Sequence, residues 1–148
     1  MGLRHYARET ALQLLYQYDS KSKVDSNYLF KADSYHQEIQ NYFKHSRTPE
    51  KLKEFVSELV IGTLSHLSEV DSLISKQALH WKLHRMHPID RCILRLAIYE
   101  LFYTTPATPS PIIIDEAIEL AKTFGGSEQT PAFVNGILDS LVKKKIFS

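Results

Sequence analysis

Glycine and cysteine are both scarce in this sequence, which has five glycines and one cysteine among 148 residues. The single cysteine, Cys92, excludes an internal disulfide and fits a reducing cytoplasm. Since no run approaches the ~20 apolar residues that span a bilayer, a membrane-spanning role is excluded too. The start of the chain also lacks the apolar stretch of a signal peptide. These absences predict a cytoplasmic protein without a membrane segment.

An excess of charge of one sign is also missing, because 18 Lys and Arg nearly balance 17 Asp and Glu and leave a net charge of +1. This sum argues neither for nor against a nucleic-acid partner, so the distribution of charge matters more. Basic residues gather near both ends of the chain, at Arg4, His5 and Arg8 and at Lys143, Lys144 and Lys145. The terminal lysines suit the C-terminus of a helix and by themselves establish little.

Alternation of apolar and polar residues, which is typical of strands, is rare. Apolar residues instead recur three and four positions apart, and this spacing predicts an all-helical protein. From Ile89 to Phe102 they cover more than one face of the predicted helix. Such a helix must be surrounded by other helices. We therefore expect it at the centre of the fold, with Cys92 as a small core residue.

Three Ser-Pro or Thr-Pro pairs mark helix starts, because Ser or Thr caps a helix and proline is tolerated in its first turn. They stand at 48–49, 110–111 and 130–131. The predicted helices cover 3–18, 27–31, 35–43, 49–74, 88–103, 110–124 and 130 onward. We predict one domain, 1–148, of about seven helices in two packed groups over about 1–75 and 76–148.

Few residues could carry catalysis or bind a metal. His80, His84 and His87 have the spacing of three imidazoles on one helix face, a possible zinc site. Pro88, however, predicts a helix start that breaks this shared face, so a polar connecting segment is the favoured interpretation. Acidic residues within 115–119 lie near a helix start, where the helix dipole stabilises negative charge. We therefore predict no enzyme activity, no metal and no cofactor.

The first helix carries the pattern most typical of a binding surface. At about 100° per residue, Arg8, Leu12 and Tyr16 follow one flank beside the apolar stripe. Arg4 and His5 lie at the head of this flank. Arginine donates paired hydrogen bonds to phosphate, while Tyr and His offer flat faces to unpaired bases. The residues alone leave two interpretations open, a single-stranded RNA site and an ordinary amphipathic helix with long arginine side chains on its surface.

Three parts of the chain together resemble the family of the transcription antitermination factor NusB. They are ARETALQLLY at 7–16, HPIDRCILRLAIYEL at 87–101, and DEAIELAKTFG at 115–125 with FVNGILD at 133–139. With the long middle helix, the resemblance covers nearly the whole chain except 19–48. It implies a fold of two three-helix bundles and a protein that performs no catalysis.

The resemblance also implies partners and site residues. Family members bind the boxA element of ribosomal RNA leader transcripts together with the ribosomal protein NusE, within the RNA polymerase antitermination complex. The RNA-binding positions of the family match Arg4, His5, Arg8, Tyr16, Glu128, Gln129, Thr130 and Phe133. The NusE face would fall at Asp90 and Arg91, at the head of the central helix. Because some members self-associate, the resemblance leaves a homodimer open.

Several cations common in the family are absent here. His5 and Tyr6 stand where members often have arginine, and Ala132 stands where lysine is usual. Each missing phosphate contact lowers RNA affinity and flattens its salt dependence. We expect the RNA-binding edge of the first helix to be open to solvent beside the start of the last helix. The alternative is a helical protein-interaction module without specific RNA recognition.

Overall fold

The structure, a computed structural model, describes residues 2–24, 31–78, 81–104 and 108–147. Within these ranges the chain forms seven α-helices and one 3-10 turn, Leu83–Arg85, and no strand. The α-helices are α1 Leu3–Val24, α2 Ala32–His45, α3 Glu50–Ser65, α4 Leu67–Gln77, α5 Pro88–Tyr103, α6 Ser110–Phe124 and α7 Thr130–Phe147. The prediction of an all-helical chain of about seven helices is confirmed. None of the helices in the described ranges is long and apolar enough to cross a membrane.

Residues 1–65 form one compact unit, in which α1 and α2 both pack against α3. Tyr35 of α2 joins α1 in the core: its ring meets that of Tyr18 edge to face at 5.6 Å, and its hydroxyl donates to the Leu14 carbonyl at 3.3 Å. α1 continues beyond its predicted end at Tyr18 to Val24. Polar residues alone do not end a helix. Neither glycine nor proline occurs between residues 19 and 24.

Residues 66–148 form a second compact unit. α5, α6 and α7 pack against one another as a three-helix bundle, and α4 packs against α5 and α7. The ten consecutive residues from Arg91 to Glu100 are all buried, Cys92 among them, so the prediction of a central helix is confirmed. Arg95 of α5 holds both carboxylate oxygens of Asp71 of α4, at 2.8 and 2.9 Å.

The predicted single helix over 49–74 is wrong, because the chain breaks at His66 into α3 and α4. The apolar spacing continues across the break, so periodicity could not locate it. The His66 ring lies 4.5 Å from that of Tyr103, and α4 belongs to the second unit. The predicted division near residue 75 would therefore cut through α4. The predicted short helix over 35–43 is part of α2, and the one over 27–31 lies almost wholly outside the described residues.

Candidate nucleic-acid interface

Asp90, at the head of α5, anchors the turn between α6 and α7. Its Oδ1 accepts the N–H of Gly126 at 2.8 Å, and its Oδ2 accepts the hydroxyl of Thr130 at 3.0 Å. The Thr130 hydroxyl in turn accepts the N–H of Ser127 at 3.2 Å. One half-buried carboxylate thereby fixes the first residue of α7 against α5.

Two glycines allow this close approach. A Cβ on Gly126 would lie 2.6 Å from Cγ of His87, and one on Gly125 would collide with the Ala121 carbonyl and the Thr130 side chain. The His87 ring cannot easily move away, because its Nδ1 caps α5 by accepting the N–H of Ile89 at 3.3 Å. The predicted helix over 110–124 is confirmed, since α6 ends at Phe124, directly before the two glycines.

Arg91 follows Asp90 but points into the protein, with only 2% of its surface exposed. Its Nη1 donates to the carbonyl of Leu83 at 2.9 Å and to that of Met86 at 3.5 Å. Arg91 therefore holds the 3-10 turn against α5. This position differs from the predicted one on a NusE face, because the guanidinium is buried and donates to the backbone carbonyls of Leu83 and Met86.

A cleft of about 460 Å³ opens beside the anchored turn, within the second unit. We call it the Trp81 cleft, and its other walls include Arg85, Met86, Gln129 and Phe133. The Trp81 side chain is 58% exposed, and its ring meets that of Phe133 edge to face at 6.4 Å. Met86 is buried, whereas Arg85 and Gln129 are exposed. The cleft thus combines a free aromatic face, a cation and an amide, which are the groups that hold an unpaired nucleotide.

The structure brings part of the predicted RNA face together here. Gln129, Thr130 and Phe133 all line the Trp81 cleft, and Glu128 is exposed in the adjoining turn. Thr130 is buried, so its role is to hold the turn. Sequence reasoning missed Trp81 and Arg85, although an exposed tryptophan in a basic, proline-bounded turn is a signal that could have found them.

Of the four α1 residues predicted to bind RNA, two are exposed and two are buried. Arg4 is exposed and Tyr16 is 39% exposed. Arg8 is only 4% exposed, and His5 is buried with its Nε2 at 2.8 Å from Oε1 of Glu9. The predicted solvent-facing edge is therefore wrong for His5 and Arg8.

The ring of Phe55 in α3 explains where the arginines lie. The guanidinium carbon of Arg4 stands 4.3 Å from the ring centroid and that of Arg8 stands 5.6 Å from it. A guanidinium is attracted to the electron-rich face of an aromatic ring. Arg8 thereby takes part in the packing of the first unit, whereas Arg4 keeps exposed surface at its edge.

The structure describes two of the three histidines whose spacing suggested a metal site. His87 caps α5, His84 is exposed in the 3-10 turn, and His80 lies outside the described residues. Among the residues that the structure describes, no three His, Cys, Asp or Glu side chains are grouped so that they could hold a metal ion.

Comparisons with known proteins identify the family of the chain. A model of the NusB family matches residues 5–143. The transcription antitermination protein NusB of Myxococcus xanthus (strain DK1622) is 44% identical over 139 residues, which are 94% of this chain and 94% of the relative. T. maritima NusB matches with a TM-score of 0.77 and 33% identity, over 95% of this chain and 91% of that chain. A crystal structure of the antitermination factors NusB and NusE in complex with dsRNA matches with a TM-score of 0.75 and 25% identity, over 97% of this chain and 98% of that chain. The resemblance found in the sequence is confirmed, and the chain belongs to the NusB family.

Proposed function

We propose that the protein is a transcription antitermination factor that binds the boxA element of ribosomal RNA transcripts together with NusE. It works by binding within the RNA polymerase antitermination complex and not by catalysis, in the cytoplasm where bacterial RNA is made. Membership of the NusB family over residues 5–143 supports this proposal. The single observation that carries it is the Trp81 cleft, whose walls have the chemistry of a site for unpaired RNA.

Each wall of the cleft has a separate role in holding a nucleotide. The exposed face of Trp81 stacks on a base, which contributes about 1–3 kcal/mol per base. The guanidinium of Arg85 binds a phosphate, and the amide of Gln129 donates to and accepts from a base edge. Asp90 and Gly126 keep the turn in place before RNA arrives, so little binding energy is lost in ordering it.

In the first unit, the exposed residues Arg4 and Tyr16 supply further RNA contacts. Arg8 and His5 act there as packing residues that support the surface and not as phosphate contacts. NusE binds at the head of α5, but Arg91 is buried there and is not a contact. Asp90 positions this part of the surface through its bonds to the α6–α7 turn.

The decisive experiment removes the exposed ring. Trp81→Ala should weaken binding of a labelled single-stranded boxA oligonucleotide roughly 5- to 150-fold, which corresponds to about 1–3 kcal/mol of lost stacking. Trp81→Tyr should retain most of the affinity. Ile112→Ala is the matched control, because Ile112 is an apolar side chain of α6 with 49% exposure. Fluorescence titrations with and without NusE measure all four proteins, and a scrambled oligonucleotide and a boxA duplex test sequence and strandedness.

The same titrations separate the alternative function. If the wild type binds boxA RNA no better than the scrambled oligonucleotide while NusE is still captured, the protein is a helical interaction module without specific RNA recognition. If Trp81→Ala and Arg85→Ala both bind boxA RNA as the wild type does, the Trp81 cleft is not the RNA site. A preference for the duplex would contradict the stacking mechanism, because paired bases cannot place a face on Trp81.

A further inference from the structure

A second groove lies at the other end of α5, between the last turns of α4, α5 and α7. Its volume is about 440 Å³, and we call it the lysine groove because Lys76, Lys144 and Lys145 form its rim. None of the described residues that line it is acidic. Along α5, Asp90 and Phe102 mark the two ends, roughly 18 Å apart at 1.5 Å per residue, so this groove is separate from the Trp81 cleft.

The floor of the lysine groove is apolar. Leu73 and Phe102 are half-exposed there, and Leu141 is buried beneath them. Apolar surface that is left open and rimmed by charge marks a site of interaction with another molecule. The combination of an aliphatic floor and a cationic rim complements a segment whose apolar and acidic side chains alternate around a helix.

Lys76 and Lys144 are exposed on the rim and can reach such a segment. Lys144 donates to the amide oxygen of Gln77 at 2.5 Å, a neutral partner. Its neighbour Lys143 points away from the groove and pairs with Asp139 at 2.9 Å. Lysines in the last turn of a helix also offset the helix dipole. That effect accounts for their position in α7 but not for the apolar floor between them.

The aromatic rings in the lysine groove favour a peptide over RNA as the occupant. Nζ of Lys145 lies 5.0 Å from the centre of the Phe102 ring. The Tyr103 ring packs with that of His66 at 4.5 Å and lies parallel to that of Tyr99, 6.4 Å away. Bases need an open ring face for stacking. These rings are packed against other side chains, whereas Trp81 is 58% exposed and meets only the edge-to-face ring of Phe133 among the described contacts.

The hydroxyl of Tyr103 adds no negative charge to the groove. Burial raises the pKa of Tyr103, and the nearby charge of Glu69 and a hydrogen bond to it raise the pKa further. The phenol is therefore neutral at physiological pH, and the carboxylate of Glu69 beside it is engaged in that hydrogen bond.

We propose that the lysine groove docks an acidic amphipathic segment of a partner protein. Apolar side chains of the segment enter the floor at Leu73 and Phe102, and its carboxylates pair with Lys76 and Lys144 of the rim. The site is independent of RNA binding at the Trp81 cleft and gives the protein a second attachment point in a larger assembly.

The test uses the full chain and a short labelled peptide in which leucines recur at every third or fourth position between glutamates. Fluorescence anisotropy should detect binding, and Lys76→Glu with Lys144→Glu should weaken it at least roughly tenfold, since like charges then face each other across a contact. Lys143→Glu, which makes the same charge change on the same helix, should alter affinity by less than about twofold. A peptide with glutamine in place of glutamate should fail to bind.

Two further measurements make the outcome decisive. Backbone amide shifts of the wild type should change at Leu73, Tyr103 and Leu141 when peptide is added, and not at Trp81. The boxA affinity of the double variant should equal that of the wild type, which also shows that the variant is folded. The proposal is overturned if the wild type does not bind the peptide or if Lys143→Glu weakens binding as much as the double variant. It is also overturned if single-stranded oligouridylate, and not the peptide, shifts the groove amides.

Discussion

At the scale of single residues, Asp90 shows how one side chain can hold the walls of a binding site in position. Its two oxygens accept from Gly126 and Thr130, on the far side of the α6–α7 turn. An acidic residue at the head of a helix is ordinarily explained by the helix dipole. Here the carboxylate also closes two long-range hydrogen bonds, and the neighbouring walls of the Trp81 cleft depend on them.

Asp90→Asn tests this role, because the side-chain amide nitrogen cannot accept a hydrogen bond. One of the two donors then loses its acceptor, and the free energy of unfolding should fall by about 1–2 kcal/mol. Urea denaturation followed by circular dichroism measures the change. Asp115→Asn, at an exposed position in the first turns of α6, is the matched control and should change the free energy by less than about 0.5 kcal/mol. Equal effects of the two substitutions would show that Asp90 acts only through its charge.

At the scale of elements, the α6–α7 turn depends on glycine for its distance from α5. Gly126→Ala places a Cβ 2.6 Å from Cγ of His87, so the turn must move away from the head of α5. We expect a loss of about 1–3 kcal/mol in the free energy of unfolding, together with weaker RNA binding at the displaced Trp81 cleft. Thermal denaturation and the boxA titration measure the two effects.

Gly136→Ala, in the neighbouring helix α7, should have the opposite effect on the stability of the protein. Gly136 is exposed within α7, and a Cβ there would meet no atom within 4 Å. Alanine should therefore stabilise the protein by about 0.5–1 kcal/mol, because glycine costs that much in the interior of a helix. If both variants are destabilised alike, the close approach to His87 is not the cause of the loss in Gly126→Ala.

The helix starts at 88, 110 and 130 could be predicted from the sequence because a proline in the first turn acts locally, through its fixed φ angle and its missing N–H. The break at His66 could not, since the apolar spacing is the same on both sides of it. The Trp81 cleft could not be predicted either, because its walls come from parts of the chain about 40 residues apart that only the fold brings together. Likewise, the burial of Arg8 depends on Phe55 in another helix, so the pattern of α1 alone could not reveal it.

At the scale of the whole molecule, a net charge of +1 limits how RNA can be held. A protein without a broad positive field must obtain its affinity from a few placed cations and from stacking. The candidate cations are Arg4 and Arg85, both exposed, and the stacking group is Trp81. Charge and stacking contribute differently to salt dependence, because only phosphate contacts release counterions.

Titrations of single-stranded boxA RNA at several salt concentrations separate the two contributions. Arg4→Ala and Arg85→Ala should each make the slope of log affinity against log salt shallower by about 0.7, the value for one phosphate contact to a single strand. Trp81→Ala should lower affinity at every salt concentration and leave the slope unchanged. Lys143→Ala should change neither quantity, because Lys143 is paired with Asp139 and lies outside the cleft. Loss of the neutral Trp81 ring releases no counterion, so Trp81→Ala by itself should not change the slope. If Trp81→Ala changes the slope and neither arginine substitution does, the phosphates are held elsewhere.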